Sequence, residues 1–261
     1  MLIGVAKSAI RSALKRFLPE PPLTLEWIKR PAKSWLVENL PASSIRLVET
    51  VEQRQFEQTS KRINDLGAQP LWDGYQATYD NDANIPWATA APQRLPDQVR
   101  SQPQMGRFFC WLVERRKPDL VVEIGTAFGV SAMYWAHGLQ RAGQGRLLTF
   151  EPNPVWHKIA ADHLRIFADF VKPICGTFED EIDAQARGQA ISISFVDAIH
   201  TSRFVDSQVS RLLERSAPNA LIVLDDITFS SDMQACWLRW ANDPRVQASV
   251  AVDQRVGILE F

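Results

Sequence analysis

From residue 104 onward the chain alternates short apolar runs with amphipathic stretches, and this alternation limits the fold more than any other feature. Runs of strand length stand at 119–124, 146–151, 171–175, 191–197 and 220–225. Helical periodicity fills about 104–116, the stretch up to about 141, and then 154–168, 178–187, 202–214 and 231–241. The tail at 246–250 and 256–261 reads as two strands joined by a turn. Apolar strands set between helices must be covered on both faces, which requires a mostly parallel sheet. The fold class is α/β, with seven strands and the last two forming an antiparallel edge pair.

Composition narrows the classes of function. The 261 residues are 46% hydrophobic and 23% charged, enough to bury a core and unlike a disordered or collagenous chain. Lys plus Arg number 29 against 30 Asp plus Glu, so no overall charge draws the protein to nucleic acid. Cys110, Cys175 and Cys236 are far apart and lack CxxC spacing, which suggests neither a disulfide framework nor a zinc cluster. A reducing cytoplasm fits that usage. No run approaches the roughly 20 apolar residues of a membrane span.

Before residue 104 the pattern changes. Residues 1–18 read as a helix ended by Pro19, Pro21 and Pro22, with Ile3, Ala6, Ile10, Leu14 and Phe17 on one side. Lys7, Arg11 and Lys15 line the other side. Such a helix either packs on its own domain or a second subunit, or makes a peripheral contact with an anionic inner-membrane surface. The pattern is helical again over 36–62. Segment 67–104 is rich in Pro and Gly and carries Trp72, Tyr75, Tyr79 and Trp87, as a binding lid or a loop anchored to the core would. The expected division is an extension and lid over 1–103, able to supply a homo-oligomer contact, and a catalytic domain over 104–261.

The turn after the first of the regular strands carries the most chemistry. Gly125 and Gly129 let the backbone approach a ligand closely, and the following helix presents free N–H groups. The spacing is GxxxG with Ala127 between, not the GxGxxG of a diphosphate cradle, and Glu123 lies just before it. A carboxylate there suits an ammonium group better than a diphosphate. The second strand ends in Glu151-Pro152, where an acidic side chain can bind both hydroxyls of a ribose.

At these residues the chain resembles the class I S-adenosylmethionine-dependent methyltransferases. EIGTAFGVSA (123–132) looks like their first motif and TFEPNP (149–154) like the acidic end of their second strand. The resemblance covers 104 to the C-terminus and implies a Rossmann-like, doubly wound sheet. It implies a cofactor site of Glu123, Gly125, Thr126, Ala127, Gly129, Ser131, Glu151 and Pro152, with Gly176, Thr177 and Phe178 flanking the adenine and Asp197 at the methionine end.

Two further strands end in carboxylates: Asp197 on the fourth, followed by Ala198, Ile199 and His200, and Asp225-Asp226 on the fifth. In an open parallel sheet these ends face one crevice, and three converging carboxylates are costly without a cation. A hard divalent ion such as Mg²⁺ on Asp197, Asp225 and Asp226 would lower the pKa of an acceptor hydroxyl, and His200 could take its proton. The arrangement is similar to the metal-dependent O-methyltransferases of the catechol and the sugar or macrolide type, with Asp226 where Asn is common. In the plainer alternative Asp197 meets only the cofactor, and Asp225 or Asp226 caps the next helix.

Taken together, the sequence is expected to encode a metal-assisted O-methyltransferase acting on a hydroxyl of a small natural-product, sugar or lipid-linked acceptor. Asp197 and His200 are its expected catalytic pair. Its rivals are an N- or C-methyltransferase without metal, a non-catalytic cofactor-binding subunit, and a membrane-recruited module.

Overall fold

The computed structural model describes residues 20–71 and 93–261. The helix expected at 1–18 and the aromatic side chains Trp72, Tyr75, Tyr79 and Trp87 lie outside the described residues. The chain opens with β1 (Leu23–Lys29), α1 (Trp35–Asn39), β2 (Ser44–Ile45) and α2 (Val51–Asn64). A small ladder of β3 (Gln69–Pro70) and β4 (Gln93–Arg94) leads to α3 (Pro103–Arg116). The alternation then follows as β5 (Leu120–Ile124), α4 (Val130–Ala142), β6 (Arg146–Glu151), α5 (Pro154–Leu164), β7 (Val171–Cys175) and α6 (Phe178–Gln185). It ends with β8 (Ile191–Val196), α7 (Ser202–Leu213), β9 (Ser216–Leu224), α8 (Ser231–Ala241), β10 (Ala248–Val252) and β11 (Val256–Glu260).

Apart from the β3–β4 ladder, the described strands form one sheet in the order β2-β1-β10-β11-β9-β8-β5-β6-β7. The five strands from β9 to β7 are parallel, and the other four add antiparallel. Alternate residues of each central strand enter opposite cores, as Val121 and Ile193 do on one face and Val122 and Val196 on the other. On the first face Phe109 stacks on Trp135 at 4.5 Å, and on the second Phe150 meets Phe178 edge-on at 5.7 Å. The α/β, mostly parallel architecture is therefore the one the apolar pattern requires.

The C-terminal pair, expected at the sheet edge, is not at the edge. β1 pairs with the outer side of β10, with Leu25 opposite Val252, and β2 pairs with β1, so among the described residues the sheet has nine strands. The reason is in the sequence: Leu23 and Leu25 are buried while Thr24 and Glu26 are exposed, an alternation of period two. Without β1, β10 would present a bare row of backbone donors and acceptors.

Strand order reverses between β5 and β8, and in such sheets the crevice for ligands opens at the carboxyl ends of the strands there. Helices start at that end with side-chain caps: Asn153 for α5, Thr177 for α6, Thr201 for α7 and Ser230 for α8. Among the described residues no helix is long and apolar enough to cross a membrane.

Candidate active site

The turn from β5 into α4 is built by backbone that ordinary residues rarely adopt. Gly125 has φ +99° and Gly129 φ +81°, and a Cβ on Gly125 would lie 2.0 Å from the Asp197 carbonyl oxygen. Only glycine lets the end of β5 lie against the end of β8 so closely. Ala127 also takes a positive φ, 46°, and its N–H donates to Oε2 of Glu151 at 2.9 Å. The turn is thereby fastened to the end of β6.

Glu123 is not where the resemblance implied. Its carboxyl is fully buried, accepting from Ser131 Oγ at 2.6 Å and from Thr149 Oγ1 at 2.5 Å. Thr126 extends this chain of hydroxyls by bonding to Thr149. Burial pushes Glu123 up to about 7 despite those two hydrogen bonds. Glu123 and Ser131 thus hold the turn from beneath, while Gly125 and Ala127 face the crevice.

Glu151 does reach the crevice. Its other oxygen, Oε1, accepts from the Asn153 N–H at 2.9 Å, and burial pushes its carboxyl up to about 7. Each oxygen keeps a further lone pair. Pro152, Gly176, Thr177 and Phe178 line the same wall, although the Thr177 hydroxyl caps α6.

At the other end of the crevice stand Asp197, His200, Asp225 and Asp226. His200 Nε2 lies 3.8 Å from Oδ1 of Asp197 and 3.6 Å from Oδ2 of Asp226, and its ring packs on Phe229 at 5.2 Å. The imidazole therefore sits between two carboxylates. Burial first, then the charges of Asp225 and Asp226, push Asp197 well above the usual carboxylate range. Burial and Asp225 raise Asp226 as well, against the opposing influence of His200 and Arg255.

The expected metal set needs correction. Arg255, from the turn between β10 and β11, places Nη2 3.0 Å from Oδ2 and Nε 3.1 Å from Oδ1 of Asp225, and Nε also lies 3.3 Å from Oδ1 of Asp226. Both oxygens of Asp225 are engaged by a fixed cation. Burial opposes the charge on Arg255, but Asp225 and Asp226 outweigh it and raise its pKa. Among the described residues no group of three or more His, Cys, Asp or Glu is arranged to hold a metal ion. Asp197, Asp225 and Asp226 converge as expected, yet as one acidic cluster closed by an arginine, which does not fit a dication. The helix-capping alternative fails too, since Ser230 caps α8.

These groups line one cavity of about 700 Å³, within the size range of small-molecule sites. Sequence reasoning missed Arg255, which stands in a segment legible only as a turn. It also missed Arg94 and Arg100, which reach the cavity from the segment before α3. Arg100 is held by Glu57 at 2.7 Å and Ser60 at 2.5 Å of α2, and Tyr134 of α4 donates to the same Glu57 oxygen at 2.6 Å.

A methyltransferase-domain family model matches residues 122–227. Residues 122–227 are a methyltransferase domain. The resemblance carried by EIGTAFGVSA and TFEPNP is borne out. This methyltransferase domain contains the turn, Glu151, Asp197, His200 and both strand-end aspartates; Arg255, Arg94 and Arg100 lie outside the matched stretch. A catechol O-methyltransferase of Mycobacterium tuberculosis is 32% identical over 143 residues. Those residues are 54% of this chain and 62% of that enzyme, so the chain spans less than two thirds of the relative's length.

Solved structures share the fold of the methyltransferase domain. The O-methyltransferase TomG of Streptomyces achromogenes, involved in tomaymycin synthesis and solved with S-adenosylmethionine, superposes with a TM-score of 0.53 at 18% identity. It covers 81% of this chain and 99% of its own. An O-methyltransferase of Bacillus cereus solved with S-adenosylhomocysteine gives 0.52 at 19% identity, covering 80% of this chain and 100% of its own.

Proposed function

We propose that this chain is an S-adenosylmethionine-dependent O-methyltransferase that methylates a hydroxyl of a small natural-product, sugar or lipid-linked acceptor. The observation that carries the reading is the single cavity joining a cofactor-type wall to a histidine set between two carboxylates. The catechol O-methyltransferase relative and the cofactor-bound neighbours support it.

When bound, the cofactor supplies a methyl group already activated as a sulfonium, so the chain's task is orientation and deprotonation. Glu151 would accept from the ribose hydroxyls with the lone pairs its two backbone contacts leave over. Gly176 and Phe178 would flank the adenine. Asp197, and not the buried Glu123, would meet the ammonium end, whose positive charge would offset the repulsion from Asp225 and Asp226. His200 takes the acceptor proton on Nε2, where Asp197 and Asp226 stabilise the imidazolium. Arg255 already engages both oxygens of Asp225, so the deprotonation relies on no metal.

The test is transfer of labelled methyl from S-adenosylmethionine to catechol as probe acceptor, followed by a panel of sugar and phenolic hydroxyls. Product methylated on oxygen supports the reading; product methylated only on nitrogen or carbon acceptors contradicts it.

A further inference from the structure

We infer that Arg255 takes the place of the divalent cation in this crevice, so that acceptor activation relies on a guanidinium and not on a metal. The inference rests on the methyltransferase reading above and deepens it.

The arginine is placed by the sheet. β11 runs antiparallel to β9 with Gly257 opposite Leu224, and continuing that register by two residues sets Arg255 opposite Asp226. The backbone is pinned there: Ile227 N–H donates to the Arg255 carbonyl at 2.9 Å, and Arg255 N–H donates to the Val252 carbonyl at 3.0 Å. From this anchor Nε and Nη2 form a two-pronged contact with the Asp225 carboxylate, which is 2% exposed. A planar guanidinium matches a carboxylate in this geometry, whereas a flexible ammonium would not.

A dication seeking Asp225 would have to displace this half-buried pair or settle against its positive charge, and either is unfavourable. The acidic cluster already has its cation, one that leaves no open coordination position. Arg255 also lines the cavity, and its contacts with Asp225 and Asp226 use Nε and Nη2 but not Nη1. As His200 removes the acceptor proton, the guanidinium stabilises the negative charge developing on the acceptor oxygen, the task a bound metal performs elsewhere.

Metal binding can be read without turnover. The full chain is titrated with Mn²⁺ alone, with and without S-adenosylhomocysteine, and the free ion is followed by electron paramagnetic resonance. The inference expects no site tighter than millimolar in either state; one Mn²⁺ per chain bound at micromolar concentration overturns it. Methyl transfer in EDTA should match transfer with added Mg²⁺ within twofold, and a loss of tenfold or more in EDTA overturns it. Arg255→Met should lower kcat tenfold or more with S-adenosylhomocysteine affinity held within threefold; an unchanged kcat overturns the role given to the guanidinium. The Mn²⁺ titration needs no variant, so it decides even if Arg255→Met does not fold. If the chain binds no S-adenosylhomocysteine, the methyltransferase reading fails, and the Mn²⁺ result still reports separately on the carboxylates.

Discussion

Ser131 Oγ lies 2.6 Å from Oε1 of Glu123, a pair within the motif that supports the turn from inside the sheet. The carboxyl that a sequence reading assigns to a ligand is spent on holding α4 against β5 and β6. The crevice is faced instead by the backbone that this buried carboxyl keeps in place.

Glu123 makes stability depend on pH. Its carboxyl is pushed up to about 7 in the folded chain against 4.5 as the ordinary value. Below about 4.5 it is protonated in both states and costs nothing, while above 7 the fold must carry a buried charge, a loss of about 3 kcal/mol across the window. Glu123→Gln removes that loss. Thermal unfolding should show the variant gaining on the wild type by several degrees between pH 5 and pH 8. An equal difference at both pH values would contradict a carboxyl raised by burial.

Gly125→Ala tests the close approach of β5 and β8. The new methyl would meet the Asp197 carbonyl at 2.0 Å on a backbone of φ +99°, so the turn must move. The expected result is destabilisation of more than about 1 kcal/mol together with loss of S-adenosylhomocysteine binding. A variant that keeps wild-type melting temperature and affinity would show that the turn is not fixed as described.

Most of the fold was legible because the central strands and their helices carry undiluted periodicity. β6 and β7 run over the residues their apolar runs indicate, and α8 over the stretch marked by its helical pattern. β1 escaped because its alternation is only seven residues long and lies beside a Pro-rich stretch read as a helix end. The convergence of Asp197, Asp225 and Asp226 with His200 followed from the strand ends alone. Their partner did not: Arg255 meets Asp225 across 30 residues of sequence, through a register that no local pattern encodes. Glu123 was misplaced for a related reason, since a strand residue two before the turn points into the sheet-facing core and not along the strand toward the ligand.

Glu151 should make cofactor binding sensitive to pH near neutrality. Burial pushes it up to about 7, and hydroxyl donors favour its ionised form, so binding releases a proton where the free carboxyl is half protonated. Affinity for S-adenosylhomocysteine should fall as pH drops below 7, and the heat of binding at pH 7 should vary with the buffer's ionisation enthalpy. Glu151→Ala should weaken binding at least tenfold. Affinity flat between pH 5.5 and 8.5 would contradict this role.

His200→Ala separates deprotonation from cofactor binding. Loss of a positioned base costs about 10²–10⁴-fold in rate. With no contact assigned to the cofactor, S-adenosylhomocysteine affinity should stay within threefold. A fully active His200→Ala would assign the proton to another group, and a parallel loss of cofactor affinity would make His200 a structural residue of the crevice.

The most direct test of the account is calorimetric titration of the full chain with S-adenosylhomocysteine in a buffer without added metal. The account predicts binding at micromolar concentration or tighter, with one site per chain. No heat of binding from a sample shown to be folded would contradict the central claim that this crevice is a methyltransferase cofactor site.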